Sequence, residues 1–209
     1  MRKILLATLA GLALVTSQAA AQNLAENPSF ESPTFDTGDA LDRWFRFQSA
    51  PSGTSFESTI NPRTGSRHMA FELIGGNQFA GVFQNLNIVA IPGETYTFSG
   101  WARNASGAPF NATQEIKLEW QGTPNPPQNR IDVLTLSDTY TQFTHSGVAP
   151  AGTTGLVVTY ALSSFGAGQT GNTLVFLDDV SVTVPEPATL GLLGMGVLGI
   201  VGFARRRRG

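Results

Sequence analysis

The run Val175-Phe176-Leu177-Asp178-Asp179-Val180-Ser181-Val182 places a carboxylate in a strand-like sequence. Strict alternation puts Phe176, Asp178, Val180 and Val182 on one face. Three apolar partners mark that face as the core side, so Asp178 is expected to point inward near a strand end. A buried carboxylate needs a cation or several hydrogen-bond donors, because leaving it unpaired is expensive. One partner that answers this need is a hard cation such as calcium, which takes six to eight oxygens from carboxylates, carbonyls and water. A turn cap or an arginine partner for Asp178 answers it equally well.

A second chemistry is stacking on a sugar ring. Pyranoses present apolar faces and hydroxylated edges, and they are gripped by an exposed aromatic beside polar side chains. Trp44, Trp101, Trp120 and Tyr160 are the candidates. Alternation groups Trp101 with Thr97, Ser99 and Arg103, opposite Tyr96 and Phe98. Trp101 and Arg103 are therefore the expected carbohydrate-contacting pair. Trp120 shares a face with Ile116 and Leu118 and reads as core.

Catalytic signatures are missing. A glycosidase needs two carboxylates across a cleft, and nothing selects a pair among fifteen acidic residues. His68 and His145 are far apart, without HExxH spacing, and read as satisfied surface histidines. No GxSxG is present, and Gly75-Gly76 lacks the setting of a phosphate loop. The absence of cysteine excludes thiol catalysis and cysteine-based zinc sites. The chain is expected not to be an enzyme.

These residues must be positioned by strands. Thr95–Trp101, Glu115–Trp120, Tyr140–Ser146, Gly155–Leu162 and Thr173–Val184 are rich in Val, Thr, Tyr and Phe, and several alternate. Proline- and glycine-rich loops at Gly122–Asn129 and Phe165–Asn172 separate them. No amphipathic helix and no internal repeat stand out, which predicts an all-β fold: a single β-sandwich of jelly-roll type over residues 22–184.

The two ends carry addresses. Arg2 and Lys3, the apolar run Ile4–Val15 and Ala19-Ala20-Ala21 describe a signal peptide over 1–21, cut before Gln22. At the other end, Val184-Pro185-Glu186-Pro187 precedes seventeen uncharged residues, 188–204, and then Arg205, Arg206, Arg207 and Arg208. A helix over 188–204 would reach roughly 25 Å, near the lower limit for crossing a bilayer. The arginines of 205–209 would stay cytoplasmic. Between the ends, residues 22–187 hold fifteen acidic and seven basic residues, a net charge of about −8. That balance argues against a nucleic-acid partner.

The order Val-Pro-Glu-Pro, glycine-rich span and arginine cluster resembles the PEP-CTERM sorting signal of Gram-negative bacteria. The resemblance makes Pro185, Glu186 and Pro187 the sorting motif. It implies an exosortase-type enzyme as partner, membrane anchoring before processing, and delivery to the envelope or extracellular matrix. The body resembles carbohydrate-binding modules with a galactose-binding-like jelly roll. That likeness rests on Asn27-Pro28-Ser29-Phe30-Glu31, Trp44, Arg63-Thr64-Gly65-Ser66, Gly93–Trp101, Thr139–Thr144 and Val175–Val182. It implies a structural calcium where the first and last strands meet, with Glu31 joining Asp178 as ligand, and extracellular polysaccharide as partner. The expected function is non-catalytic carbohydrate binding by an exported protein. The alternative is a structural or adhesive biofilm-matrix protein without a defined sugar site, with a glycan-active enzyme behind both.

Overall fold

The computed structural model describes residues 22–32, 43–123 and 129–184. Among them are ten strands and no helix: β1 (Phe45–Gln48), β2 (Gly53–Ser58), β3 (His68–Leu73), β4 (Phe79–Asn85), β5 (Thr95–Asn104), β6 (Thr113–Gln121), β7 (Asn129–Val133), β8 (Thr141–Val148), β9 (Gly155–Ser163) and β10 (Thr173–Thr183). The signal segment 1–21, the Pro185-Glu186-Pro187 motif, the span 188–204 and Arg205–Arg208 lie outside the described residues. Among the described residues, no helix is long and apolar enough to cross a membrane.

The strands form two five-stranded sheets, ordered β1-β4-β9-β6-β7 (sheet A) and β2-β3-β10-β5-β8 (sheet B), with every pairing antiparallel. The expected strands at β5, β6, β8, β9 and β10 are present, and the five others escaped the sequence reading. Alternation supplies the core. Met69, Phe71 and Leu73 from β3 and Tyr96, Phe98 and Ala102 from β5 face Ala80 and Val82 from β4, Ile116, Leu118 and Trp120 from β6, and Leu156, Val158, Tyr160 and Leu162 from β9. Phe71 and Phe143 pack their rings against Tyr160, each with centroids 5.4 Å apart.

β10 departs from simple alternation. Its pairing with β5 slips between Asp178 and Ser181, and Asp179 adopts a left-handed φ of 47°. A bulge of this kind inserts one residue and reverses side-chain parity. Val175 and Leu177 face the core before it, and Val180 and Val182 after it. The expectation that Phe176, Asp178, Val180 and Val182 share a core face is therefore corrected. Asp178, paired in register with Trp101, lies on the outer face of sheet B. It is nevertheless fully buried, because a loop covers it.

The amino-terminal segment is sewn onto this bulge. Asn23 donates from Nδ2 to the Val180 carbonyl at 3.0 Å and accepts the Val182 amide at 2.8 Å. The Leu24 amide donates to the Val182 carbonyl at 2.7 Å, and the Val180 amide to the Pro28 carbonyl at 2.9 Å. Backbone groups freed by the bulge are thereby satisfied. Replacing Asn23 by Ala strands two of them, the Val180 carbonyl and the Val182 amide, and a loss of about 2 kcal/mol is expected in urea unfolding. An unchanged midpoint would show that Asn23 does not hold this seam.

Candidate functional site

The outer face of sheet A is organised in rows that cross its strands. Register aligns Phe47, Gly81, Ala161, Glu115 and Asp132 in one row, and Phe45, Phe83, Thr159, Lys117 and Arg130 in the next. Each row runs from phenylalanine through small residues to charge. Phe79, Ser163 and Thr113 begin a third row. The middle is low: Ala161, Thr159 and Ser163 are 2, 3 and 5% exposed, while Phe45 on one flank is 44% exposed. The result is a shallow trough with a small-residue floor. Gly81 is required there, since a Cβ would fall 2.5 Å from the Phe47 ring that leans over it.

The aromatic flank is a continuous file. Phe45 stacks on Phe83 at 5.4 Å, Phe83 meets Phe47 at 6.3 Å, and Phe47 stacks on Phe79 at 6.2 Å. Phe165 extends the file, 6.2 Å from Phe79. The charged flank is an ion network. Lys117 Nζ lies 2.7 Å from Glu115 Oε2, and Arg130 Nη1 lies 3.4 Å from the same oxygen. Ser163 Oγ donates to Glu115 Oε1 at 2.7 Å. Arg130 also grips Asp132 through two bonds of 2.5 and 2.6 Å. Burial opposes ionisation of Glu115, but the bonds from Lys117 and Ser163 and the charges of Lys117 and Arg130 overcome it and hold the carboxyl below its ordinary range. The Arg130 bonds lower Asp132 as well. The Thr159 hydroxyl, on the floor, is buried with no partner.

Sheet B's outer face carries the residues picked out from sequence, and it is covered. Trp101 points outward as its parity requires, but the Arg63 guanidinium caps its ring 4.0 Å from the centroid. Arg103 lies 5.3 Å from the Tyr140 ring centroid and 4.7 Å from that of Phe176. The His68 ring packs tilted against Phe176 with centroids 4.2 Å apart, and its Nδ1 lies 2.7 Å from the Tyr140 hydroxyl. Neither histidine is on the surface: His68 is 0% and His145 7% exposed, the latter with Nε2 3.0 Å from the Asn129 carbonyl.

Glu31 and Asp178 meet the same turn. Asp178 Oδ2 accepts the amides of Arg63 and Thr64 at 2.9 and 3.1 Å, and its Oδ1 accepts the Asp179 amide. Glu31 accepts the amides of Ser66 and Arg67 and the Ser66 hydroxyl. Gly65, at φ +59°, has no room for a side chain, since a Cβ would lie 2.1 Å from Glu31 Oε1. The Ser66 hydroxyl bond and the Arg67 and Ser66 amides lower the Glu31 pKa. Burial pushes Asp178 up to about 6, and Arg63 pairs with Asp179 instead. Among the described residues, no group of three or more His, Cys, Asp or Glu gathers.

Comparison with known proteins identifies this architecture. Residues 22–163 match the carbohydrate-binding domain family, CBM_4_9. The chain belongs to that family. Residues 183–208 match the PEP-CTERM protein-sorting motif, which marks an exported, sorted protein. No curated relative matches the chain. Among solved structures, the TmCBM61 module in complex with β-1,4-galactotriose superposes with a TM-score of 0.55 at 15% identity, covering 78% of this chain and 98% of that one. The CBM22-1 xylan-binding domain of Paenibacillus barcinonensis Xyn10C gives 0.53 at 15% identity, covering 77% and 93%. The enzymatically active domain of bacteriophage CBA120 tailspike protein 4 gives 0.56 at 16% identity and covers 78% of this chain, which spans only 21% of that protein. At these identities the likeness concerns the fold. The sandwich of this carbohydrate-binding domain continues past the family match to Thr183, so β10 and its bulge complete sheet B beyond it.

The buried histidine has a measurable consequence. Burial, aided by the Arg103 charge, lowers the His68 pKa to about 4 from 6.5. The folded protein resists a proton that the unfolded chain accepts, so the stability tied to neutral His68 is complete above pH 6.5. It declines as the pH falls to 4, by up to about 3 kcal/mol. Comparing urea midpoints at pH 7 and pH 4.5, the wild type is expected to lose more stability than His68→Gln. Equal losses would mean that His68 titrates normally.

Proposed function

We propose that this is a non-catalytic carbohydrate-binding protein whose sugar-contacting surface is the trough on the outer face of sheet A. The observation that carries the reading is the cross-strand order of phenylalanine, small residue and ion pair repeated in two adjacent rows. Phenyl rings offer apolar contact to the C–H faces of a sugar, and the charged groups of the opposite flank offer partners to its edges. Carboxylates that cleave glycosides need environments that separate their pKa values, one of them raised. Glu115 and Asp132 are both lowered and both tied to cations, which favours binding over hydrolysis. Trp101 is half-buried beneath Arg63 and Arg103 is half-buried against Tyr140 and Phe176, which supports reading that pair as part of sheet B's packing.

The same proposal gives the Arg63–Arg67 turn a calcium ion. Glu31 and Asp178, with carbonyls of the turn, are hard oxygen donors of the kind calcium selects. Asp178 is fully buried with its pKa raised by burial, and an ion would stabilise its charged form beyond the three backbone amides that it already accepts. The ion would pin the amino-terminal segment and β10 to the turn. For the ends, residues 1–21 act as a signal peptide and 188–204 as a temporary membrane anchor with Arg205–Arg208 inside. An exosortase-type enzyme processes the chain at Pro185-Glu186-Pro187 and releases residues 22–184 as a folded unit to the envelope or matrix.

Titration of the full chain against a panel of soluble bacterial and plant polysaccharides tests the binding reading. Phe83→Ala is expected to weaken a positive interaction by about tenfold or more. Trp101→Ala should leave it within about twofold. The reverse pattern would move the site to sheet B, and no binding by a folded wild type would favour the matrix-protein alternative. Separately, EDTA should lower the melting temperature by several degrees, on the order expected for losing a bound ion. Glu31→Gln should abolish that response, and an unshifted wild type would remove the calcium ion.

A further inference from the structure

The sandwich has an opening that neither the trough nor the calcium turn uses. β7 and β8 are the terminal strands of sheets A and B on the same side of the molecule. At the Asn129 end they are tied together: the Asn129 carbonyl meets His145 Nε2 at 3.0 Å, and Asn129 Nδ2 donates to the Ser146 carbonyl at 3.4 Å. Toward Val133 and Thr141 a cavity of about 650 Å³ lies between them, bordered by the connecting residues 135–137.

Its interior is formed by Ile131, Val133, Leu136 and Phe143, four side chains that pack on the core yet stay only partly buried. The cleft opens to solvent between the two sheet edges and leaves these four apolar side chains only partly covered by the fold. One buried polar group lines it. Gln114 is 3% exposed, and its amide is held by the fully buried Tyr160 hydroxyl, which donates to Oε1 at 2.7 Å. Gln114 Nε2 donates to the Thr135 carbonyl at 3.0 Å. One N–H and one lone pair of the amide are left over.

We propose that this cavity is a second binding site, for an uncharged and mainly apolar ring compound carrying one hydrogen-bonding group, such as an aromatic alcohol. Its volume falls within the range of small-molecule sites. No charged side chain lines it, so an ion would enter without a counter-charge. A bare sugar fits the interior poorly, because several hydroxyls would be desolvated against four apolar side chains and the one buried amide, that of Gln114. Polar groups are confined to the exposed rim, where Ser137 Oγ bonds the Thr139 carbonyl at 2.8 Å and Thr141 Oγ1 at 3.0 Å, and where Thr135, Gln142 and Thr144 face solvent. The site is therefore chemically distinct from the trough, and the two readings stand or fall separately.

The test uses the full chain and two fluorescent probes of one shape, neutral 2-naphthol and anionic 2-naphthoate, at pH 7. Saturable binding of 2-naphthol is expected, with 2-naphthoate at least about tenfold weaker. Thr141→Trp and Ser137→Trp place an indole at the mouth from two adjoining exposed positions on its rim. Each should weaken 2-naphthol binding by about tenfold or more while leaving the melting temperature and polysaccharide binding as in the wild type. Phe83→Ala, on the trough, should not change it. The proposal is overturned if the wild type does not bind 2-naphthol, if both plugged variants bind normally, if naphthoate binds equally well, or if Phe83→Ala abolishes binding and so places the probe on the phenylalanine file.

Discussion

One inserted residue in β10 underlies the architecture. Because side chains alternate along a strand, Val175 and Leu177 could not share the core with Val180 and Val182 unless the register slipped between them. The slip at Asp178–Ser181 permits both pairs to be buried. It also leaves backbone groups without sheet partners, and Asn23 and Pro28 take them up. Two adjacent carboxylates are left pointing away from the core. Asp179 gathers Ser29, Thr64 and Arg63, while Asp178 gathers the backbone of the Arg63–Thr64 turn. The amino terminus, the turn and the last strand thus depend on the same irregularity.

That constraint makes the two outer faces different. The turn held by Asp178 and Asp179 carries Arg63 over Trp101, while Tyr140 closes over His68 and Arg103. Sheet B therefore spends its outward aromatics on packing. Sheet A has no equivalent bulge, and small residues along its central strand β9 keep its floor low between phenylalanine and ion-pair flanks. The trough is open because its floor residues are small, and it is polar on one side because Glu115 is held ionised by two cations.

Much of this was legible before the fold was seen. Half the strands and the sandwich class followed from alternation and turn residues, and the sorting tail from its resemblance to a known signal. The site was less legible. Parity correctly turned Trp101 outward, but parity knows nothing of Arg63, which reaches that ring from a turn 38 positions earlier. The phenylalanine file was missed although a period-two signal was present in Phe45-Arg46-Phe47 and in Phe79, Gly81 and Phe83. Those stretches were not picked out as strands, and sequence does not say which face of a sheet another sheet covers. The histidines went astray for the same reason. Polar neighbours in sequence suggested the surface, whereas His68 is enclosed by Phe176 and Tyr140 from distant strands.

By itself the sequence determined the local and additive properties. These are strand periodicity, an acidic body without cysteine, and the sorting motif at 183–208, each of which depends on neighbours along the chain. Tertiary structure alone decided which outward face stays open, that Glu31 and Asp178 hold one turn, and that β7 and β8 part around a cavity. Those outcomes depend on strand order and on one register slip, where a single residue reverses every side chain beyond it. Such a shift leaves composition and local pattern almost unchanged, yet it redistributes which residues are covered.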